Sequence, residues 1–151
     1  MTTERNHGTP GDALRTLAEQ LRAEETPITP HVVDPAESPT LGELAASGPA
    51  TAAAPAEYAL VVEAVREGYL LHYEQSRLLA GHDSDLALLA GDYLYALGLD
   101  RLAALGATHA IALLSDLISE CARLQAEGDT TKIPALWRKA AEQIATAPRS
   151  G

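Results

Sequence analysis

Residues 84–106 form a stretch that is apolar on almost every side and yet carries an aspartate, Asp92, near its centre. A helix that is apolar all round is expected inside a packed bundle and not on its surface. A carboxylate placed there needs a partner, a bound cation or a neighbouring cavity. This segment therefore predicts a helical bundle with a carboxylate in its interior.

The composition favours an all-α fold. Hydrophobic residues make up 46% of the 151 residues, but aromatic residues only 4%, and phenylalanine is absent. The core must therefore be built largely from leucine and alanine, which are strong helix formers. Apolar and polar residues do not alternate with period two over a useful length, so no strands are expected.

Residues 56–147 read as four helices with apolar positions at helical spacing. Pro55 and Pro134 suit helix starts, and Gly106 and Gly128 suit helix ends. The short connections after these two glycines favour antiparallel neighbours. We expect an antiparallel bundle of about four helices, over residues 56–73, 84–106, 108–128 and 131–147.

Residues 1–55 differ in character, because they hold seven of the nine prolines. We expect this segment to be a largely disordered linker or tail. Its exception is a short amphipathic helix near residues 12–23. This helix is either a frayed one that docks on its own domain or has no role, which we favour, or a motif that folds on contact with a partner. The apolar face of this helix is formed by Leu14, Leu17, Ala18 and Leu21.

Charge and cysteine content limit the classes of partner. The chain has 21 acidic and 11 basic residues, a formal net charge of −10, and only two lysines. Nucleic acid and anionic lipid are therefore not expected as partners. No apolar run reaches the roughly 20 residues of a membrane helix, and the first residues lack the apolar run of a signal peptide. We expect a cytoplasmic protein that is not an integral membrane protein. The single cysteine, Cys121, permits no internal disulfide and is expected to be an inert core thiol.

Asp92 has two classes of role. It can hold a water or cation beside an apolar slot, or anchor a helix of a partner. It can also form a structural ion pair, for which Arg66, His72 and Arg123 are the candidates. Buried carboxylates usually have such a partner, so the structural role is favoured.

A second acidic cluster, His82-Asp83-Ser84-Asp85, offers oxygen ligands of the kind that magnesium prefers. The same residues match an ordinary helix start, where Asp or Ser caps free N–H groups. We favour capping. Catalytic motifs of the common kinds are missing from the sequence, and neither a metal site nor a cofactor is expected.

Two glycines on the second predicted helix, Gly91 and Gly98, lie seven residues apart along one stripe. A neighbouring helix or a flat ligand can approach the backbone closely there. Tyrosines near this stripe are expected either to line a groove or to belong to the core. They are Tyr69, Tyr73, Tyr93 and Tyr95.

Residues 86–106, with Ala-Gly-Asp-Tyr at 90–93, resemble a helix of the all-α trans-isoprenyl (polyprenyl) diphosphate synthases. In that family this helix follows the one that bears the first aspartate-rich motif. The likeness extends through residues 115–128, which are similar to the family's next helix, and Leu70-Leu71-His72 resembles the approach to the motif. The resemblance is strongest to the small, non-catalytic subunit of two-component heptaprenyl diphosphate synthases.

The departures from the family matter equally. Residues 73–77, Tyr-Glu-Gln-Ser-Arg, stand where the first DDxxD motif would begin, and these 151 residues contain no second motif of this kind. Ionisation of an allylic diphosphate needs those carboxylates to hold magnesium. The resemblance therefore implies no catalytic residues and no complete enzyme. Only Gly91 and Asp92 match residues of the family's motif position by position.

Two functions are expected on these grounds. The first is a non-catalytic accessory or regulatory subunit of a polyprenyl diphosphate synthase, which packs on a partner and lines an apolar isoprenoid groove. The alternative is a scaffold or interaction protein of a larger complex that retains the helical hairpin and can hold a prenyl lipid such as a quinone tail. So small a bundle is expected to self-associate or bind a protein partner, and to expose an apolar face when isolated. The expected groove is lined by Leu71, Leu89, Gly91, Asp92, Tyr93, Ala96, Leu97 and Gly98.

Overall fold

The computed structural model describes residues 8–146, and within this range the fold is an all-α helical bundle without strands. Short loops and single 3-10 turns connect the helices, and one isolated backbone bridge joins Val32 and Leu79. The six α-helices are α1 (Ala13–Ala23), α2 (Thr40–Ala45), α3 (Pro55–Tyr73), α4 (Ser84–Ala104), α5 (Thr108–Glu127) and α6 (Ile133–Thr146).

The four helices expected after residue 55 are confirmed as α3 to α6. Their ends follow local signals. Pro55 occupies the first turn of α3, where a missing N–H costs nothing. Gly106 and Gly128 adopt positive φ angles of +71° and +75° just after α4 and α5, a conformation that glycine takes without steric cost.

The expectation of an unstructured segment through residue 55 is wrong for residues 8–55, while residues 1–7 lie outside the described range. The amphipathic helix expected near residues 12–23 is present as α1. Its apolar face is buried against α3 and α4, and Leu17 is completely inaccessible. The docking alternative is thus the one found. Pro10, Pro30 and Pro49 lie at the starts of 3-10 turns, so these prolines do not mark disorder.

The centre of the bundle is α3, not α4. Helices α1, α2, α4 and α5 all contact α3, and most of its residues are buried. The sequence hides this role because α3 carries two glutamates, Glu63 and Glu67, that are buried with it. The expectation that the most apolar helix is the most buried one is therefore wrong, since α4 keeps one face open to solvent.

Apolar side chains form two main clusters on either side of α3. One cluster joins α3 to α5 and α6 around Tyr69, Leu114 and Trp137. The other joins α3 to α1 and α4 around Leu17 and Leu94. The N-terminal segment is thus a structural part of the bundle, because it closes the second cluster.

Helices α3 and α4 approach each other closely at three glycines, Gly68, Gly91 and Gly98. A Cβ atom on Gly68 would lie 2.8 Å from the carbonyl oxygen of Gly91, and one on Gly98 would lie 2.5 Å from Cγ2 of Val65. These distances are too short for any side chain. The close approach expected at Gly91 and Gly98 is confirmed, and the neighbour is a helix of the same chain.

Candidate functional site

The outer face of α4 exposes large apolar side chains. Leu88 and Leu89 are 55% and 59% exposed, and Ala96, two turns further along, is exposed as well. We call the surface formed by Leu88, Leu89, Asp92 and Ala96 the α4 outer face. Apolar residues adjoining one another on a surface mark interaction sites more often than scattered ones do.

Asp92 lies on this face and not in the core. Its side chain is 75% exposed, and its Oδ1 atom lies 3.1 Å from Nε2 of His72. The same His72 nitrogen lies 3.3 Å from the carbonyl oxygen of Leu88. Both neighbours accept hydrogen bonds, so the proton belongs on Nε2. The burial expected for Asp92 is wrong, but one of its three expected partners, His72, is in place.

The other two candidate partners of Asp92 have different neighbours. Arg123 forms ion pairs with Glu120 and Glu127 along α5. Arg66 points its guanidinium over the rings of Tyr69 and Trp137 instead. Asp92 is therefore held by a single, largely exposed contact across the α3–α4 boundary.

Acidic residues lie on the α4 outer face and beside it. Asp85, Asp92 and Asp100 are all exposed along the helix. The one basic residue of α4, Arg101, is already paired through two hydrogen bonds of 2.7 and 2.8 Å to Glu57. The surface thus combines exposed leucines with unneutralised negative charge.

The expected groove residues do not share one surface. Gly91 and Gly98 are buried against α3, and Leu71 is buried beside α1. Tyr93 and Leu97 pack on the cluster around α1, where the Tyr93 hydroxyl donates a hydrogen bond of 2.6 Å to Glu24. The residues that reach solvent together are Leu89, Asp92 and Ala96.

The expected cap at the start of α4 is confirmed. The Oδ1 atom of Asp83 accepts a hydrogen bond of 2.8 Å from the backbone N–H of Leu86. This is the geometry of an N-cap aspartate. Residues 8–146 contain no group of three or more histidine, cysteine, aspartate or glutamate side chains placed to hold a metal ion.

Sequence reasoning missed a buried polar network on the opposite side of α3 from α4. Glu63 and Glu67 are 0% exposed, and both bind Arg77, at 2.7 and 2.9 Å. Glu67 also accepts hydrogen bonds from the backbone N–H groups of Arg77 and Leu78, and Glu63 accepts one from Gly42. Burial alone would lower the pKa of Arg77, but the two carboxylates outweigh that effect and raise it. The one signal in the sequence was the pair of acids one helical turn apart in an apolar helix.

A polar cleft of about 340 Å³ opens beside this network, between α3, residues 37–41 and residues 74–77. Arg66 is one of the lining residues, together with the exposed residues Glu37, Ser38, Glu74 and Gln75. Burial and the neighbouring charge of Arg77 lower the pKa of Arg66. Arg66, whose positive charge is poorly solvated, thus borders this cleft.

The remaining candidates belong to the core. Cys121 is 0% exposed, and burial raises its pKa to about 11, so little of the thiol is ionised near neutral pH. The Tyr69 hydroxyl donates to Glu74 at 2.7 Å and accepts from Gln125 at 2.9 Å. Burial, followed by the bond to Glu74, raises the Tyr69 pKa to about 12.

Comparisons with protein-family models, with curated proteins and with solved structures found no match to this chain. Among residues 8–146, no helix combines the length and the apolar character needed to cross a membrane. The resemblance to isoprenyl diphosphate synthases accordingly stays a prediction from the sequence.

Proposed function

We propose that this chain is a non-catalytic accessory subunit that packs on a partner protein through the α4 outer face. The observation that carries the proposal is the exposure of Leu88 and Leu89, at 55% and 59%, on a helix whose other side is well packed. Covering a leucine side chain of this kind contributes roughly 1–2 kcal/mol to association.

Charge favours a different protein over a second copy as the partner. Each chain carries a formal net charge of −10, and the exposed Asp85, Asp92 and Asp100 run along the same helix as the leucines. Two such helices brought face to face would repel each other. An apolar surface bordered by lysine or arginine would match both the leucines and the aspartates.

The resemblance to isoprenyl diphosphate synthases suggests which protein this is. The segment that carries the resemblance, residues 86–106, covers most of α4, including the exposed leucines. At the position of the family's first aspartate-rich motif the chain has residues 73–77, whose Arg77 is bound by Glu63 and Glu67. We propose a cytoplasmic catalytic subunit of a polyprenyl diphosphate synthase as the partner.

An isoprenoid groove would then be shared between the two proteins. Leu89 and Ala96 supply an apolar wall on this chain, and the catalytic subunit supplies the opposite wall and the magnesium-binding carboxylates. In this arrangement the accessory subunit influences the length of the product through the shape of the shared wall, while the partner carries out the ionisation step.

The test compares three tagged forms of the chain, each expressed in the organism from which the protein comes. They are the wild type, the double variant Leu88→Glu/Leu89→Glu, and the control Val33→Glu, which places a charge at another exposed apolar residue. Native mass spectrometry identifies what co-purifies. We expect the wild type and the control to retain a DDxxD-bearing prenyl synthase and to restore its chain elongation, and the double variant to lose both.

Other outcomes decide against the proposal. A wild-type chain that is monomeric and without a partner would overturn it. A stable complex with unrelated proteins, formed whether or not prenyl diphosphate is supplied, would instead support the scaffold alternative. A homodimer abolished by the double variant would show that the α4 outer face binds a second copy.

A further inference from the structure

Arg66 differs from every other arginine in residues 8–146. Six arginines there form ion pairs with carboxylates, whereas Arg66 forms neither an ion pair nor a hydrogen bond to any described residue. Its Nη1 atom is buried without a hydrogen-bond partner. In a chain with nearly twice as many acids as bases, a cation without a partner is unexpected, because a desolvated charge is costly.

The aromatic contacts of Arg66 leave its donors free. The guanidinium carbon lies 5.1 Å from the ring centroid of Trp137 and 5.5 Å from that of Tyr69. Such contacts attract the positive charge toward the ring faces. They do not supply hydrogen-bond acceptors for the N–H groups in the plane of the guanidinium. These N–H groups form a fork suited to a carboxylate or phosphate. Arg66 is thus held in position by its neighbours and lacks an acceptor.

The cleft beside Arg66 also contains carboxylates without a cation. Glu37 and Glu74 line it together with Arg66, and neither pairs with a described lysine or arginine. Glu74 accepts only the Tyr69 hydroxyl, while Glu63, which also lines the cleft, is engaged by Arg77. Glu74 and Glu63 lie near enough to Arg66 to act on its pKa, yet neither forms an ion pair with it.

We propose that this cleft binds a small zwitterionic amino carboxylate of the amino-acid class. The carboxylate accepts hydrogen bonds from the Nε and Nη2 groups of Arg66, since Nη1 is buried, and the ammonium group lies toward Glu37 and Glu74. The volume of about 340 Å³ falls at the small end of the range for ligand sites. Of the three lining glutamates, Glu63 is paired with the lining Arg77. The other two, Glu37 and Glu74, oppose a multiply charged phosphate next to the single free cation of Arg66, so the arrangement favours a ligand without net charge.

This site is separate from the α4 outer face. Arg66 precedes Gly68 by two residues, about 200° around the helix, and Gly68 faces α4. Binding in the cleft and binding of a protein partner through α4 can therefore be tested independently.

The experiment uses Trp137, the only tryptophan of the chain, as its reporter. The full chain is titrated with L-leucine, L-glutamine, acetate and inorganic phosphate while tryptophan fluorescence is recorded. We expect a saturable change with at least one of the two amino acids, and a much weaker response to acetate and phosphate. Arg66→Lys keeps the charge but loses the fork, and should weaken binding by about tenfold or more.

Two further variants separate binding from folding. Arg66→Met should abolish binding and raise the urea midpoint of the free chain, because it removes an unpaired cation and keeps the stem in contact with the rings. Arg138→Met, on the same helix as Trp137 and paired with Glu142 at the surface, should bind like the wild type. No saturable response to either amino acid up to about 10 mM, tighter binding of phosphate, or binding that survives Arg66→Met would each overturn the proposal.

Discussion

The Nε2 atom of His72 lies 3.1 Å from the Oδ1 atom of Asp92 across the boundary between α3 and α4. Asp92 is tolerated near the middle of a largely apolar helix because its carboxylate lies at the surface, beside a hydrogen-bond donor. The imidazole also lies against Gly91, where no larger residue would leave room for it.

Replacing Asp92 by leucine should change the free energy of unfolding by less than about 1 kcal/mol, because contacts between exposed charged groups are weak. The variant should also bind more of a hydrophobic dye such as ANS, since it enlarges the α4 outer face. Urea unfolding followed by circular dichroism gives the first quantity and ANS fluorescence the second. A loss of several kcal/mol would mean that Asp92 is buried after all.

Replacing Glu67 by leucine should be far more costly, at about 3–5 kcal/mol. The change leaves the Nε group and the backbone N–H of Arg77 without an acceptor inside the protein, and the backbone N–H of Leu78 keeps only Ser76 Oγ. Urea unfolding measures the loss. Glu120→Leu is the matched control, because Glu120 pairs with Arg123 at the surface and its loss should cost under about 1 kcal/mol. Equal losses in the two variants would refute the structural role of the network.

Gly98→Ala should destabilise the protein by about 1–3 kcal/mol through overpacking, even though alanine favours a helix by about 1 kcal/mol. The reason is the distance of 2.5 Å between the added Cβ atom and Cγ2 of Val65. Introducing Val65→Ala in the same chain should recover part of the loss, which a double-mutant cycle detects. If Gly98→Ala stabilises the protein, the close approach of α3 and α4 is wrong.

The N-terminal segment should unfold together with the bundle. Leu17→Ala is expected to lower the free energy of unfolding by about 2–5 kcal/mol, because Leu17 lies on the buried face of α1 and is fully inaccessible. The exposed Glu19→Ala on the same helix should cost little. Trypsin cleavage after Arg15 and Arg22 measures the opening of α1. Rapid cleavage of the native wild type would show instead that this segment is detached from the bundle.

Alkaline pH should destabilise the protein partly through Cys121. Burial raises the folded-state pKa of this thiol from 9.0 to about 11. The unfolded chain therefore loses the proton first, and the stability that the neutral thiol contributes below pH 9 falls as the pH rises toward 11. Urea midpoints between these two values should decrease less for Cys121→Ala than for the wild type. Parallel curves for the two proteins would exclude this contribution.

The sequence by itself determined the fold class and the four helices after residue 55. The residues that start and end these helices act on the backbone beside them, so their effect does not depend on distant residues. They are the proline at the start of α3, Asp83 at the start of α4, and the glycines after α4 and α5. The same holds for α1, whose apolar face is visible in its spacing.

Only the tertiary structure decided which helix lies at the centre and what its polar groups contact. Glu63 and Glu67 reach Arg77 across a loop, 14 and 10 residues away, and no periodicity encodes such a pairing. These ion pairs let α3 be buried with its two glutamates under the surrounding helices, whereas α4 keeps one face in solvent, although α4 is the more apolar sequence. Burial depends on which surfaces meet in space, because a helix is covered only where another element packs on it.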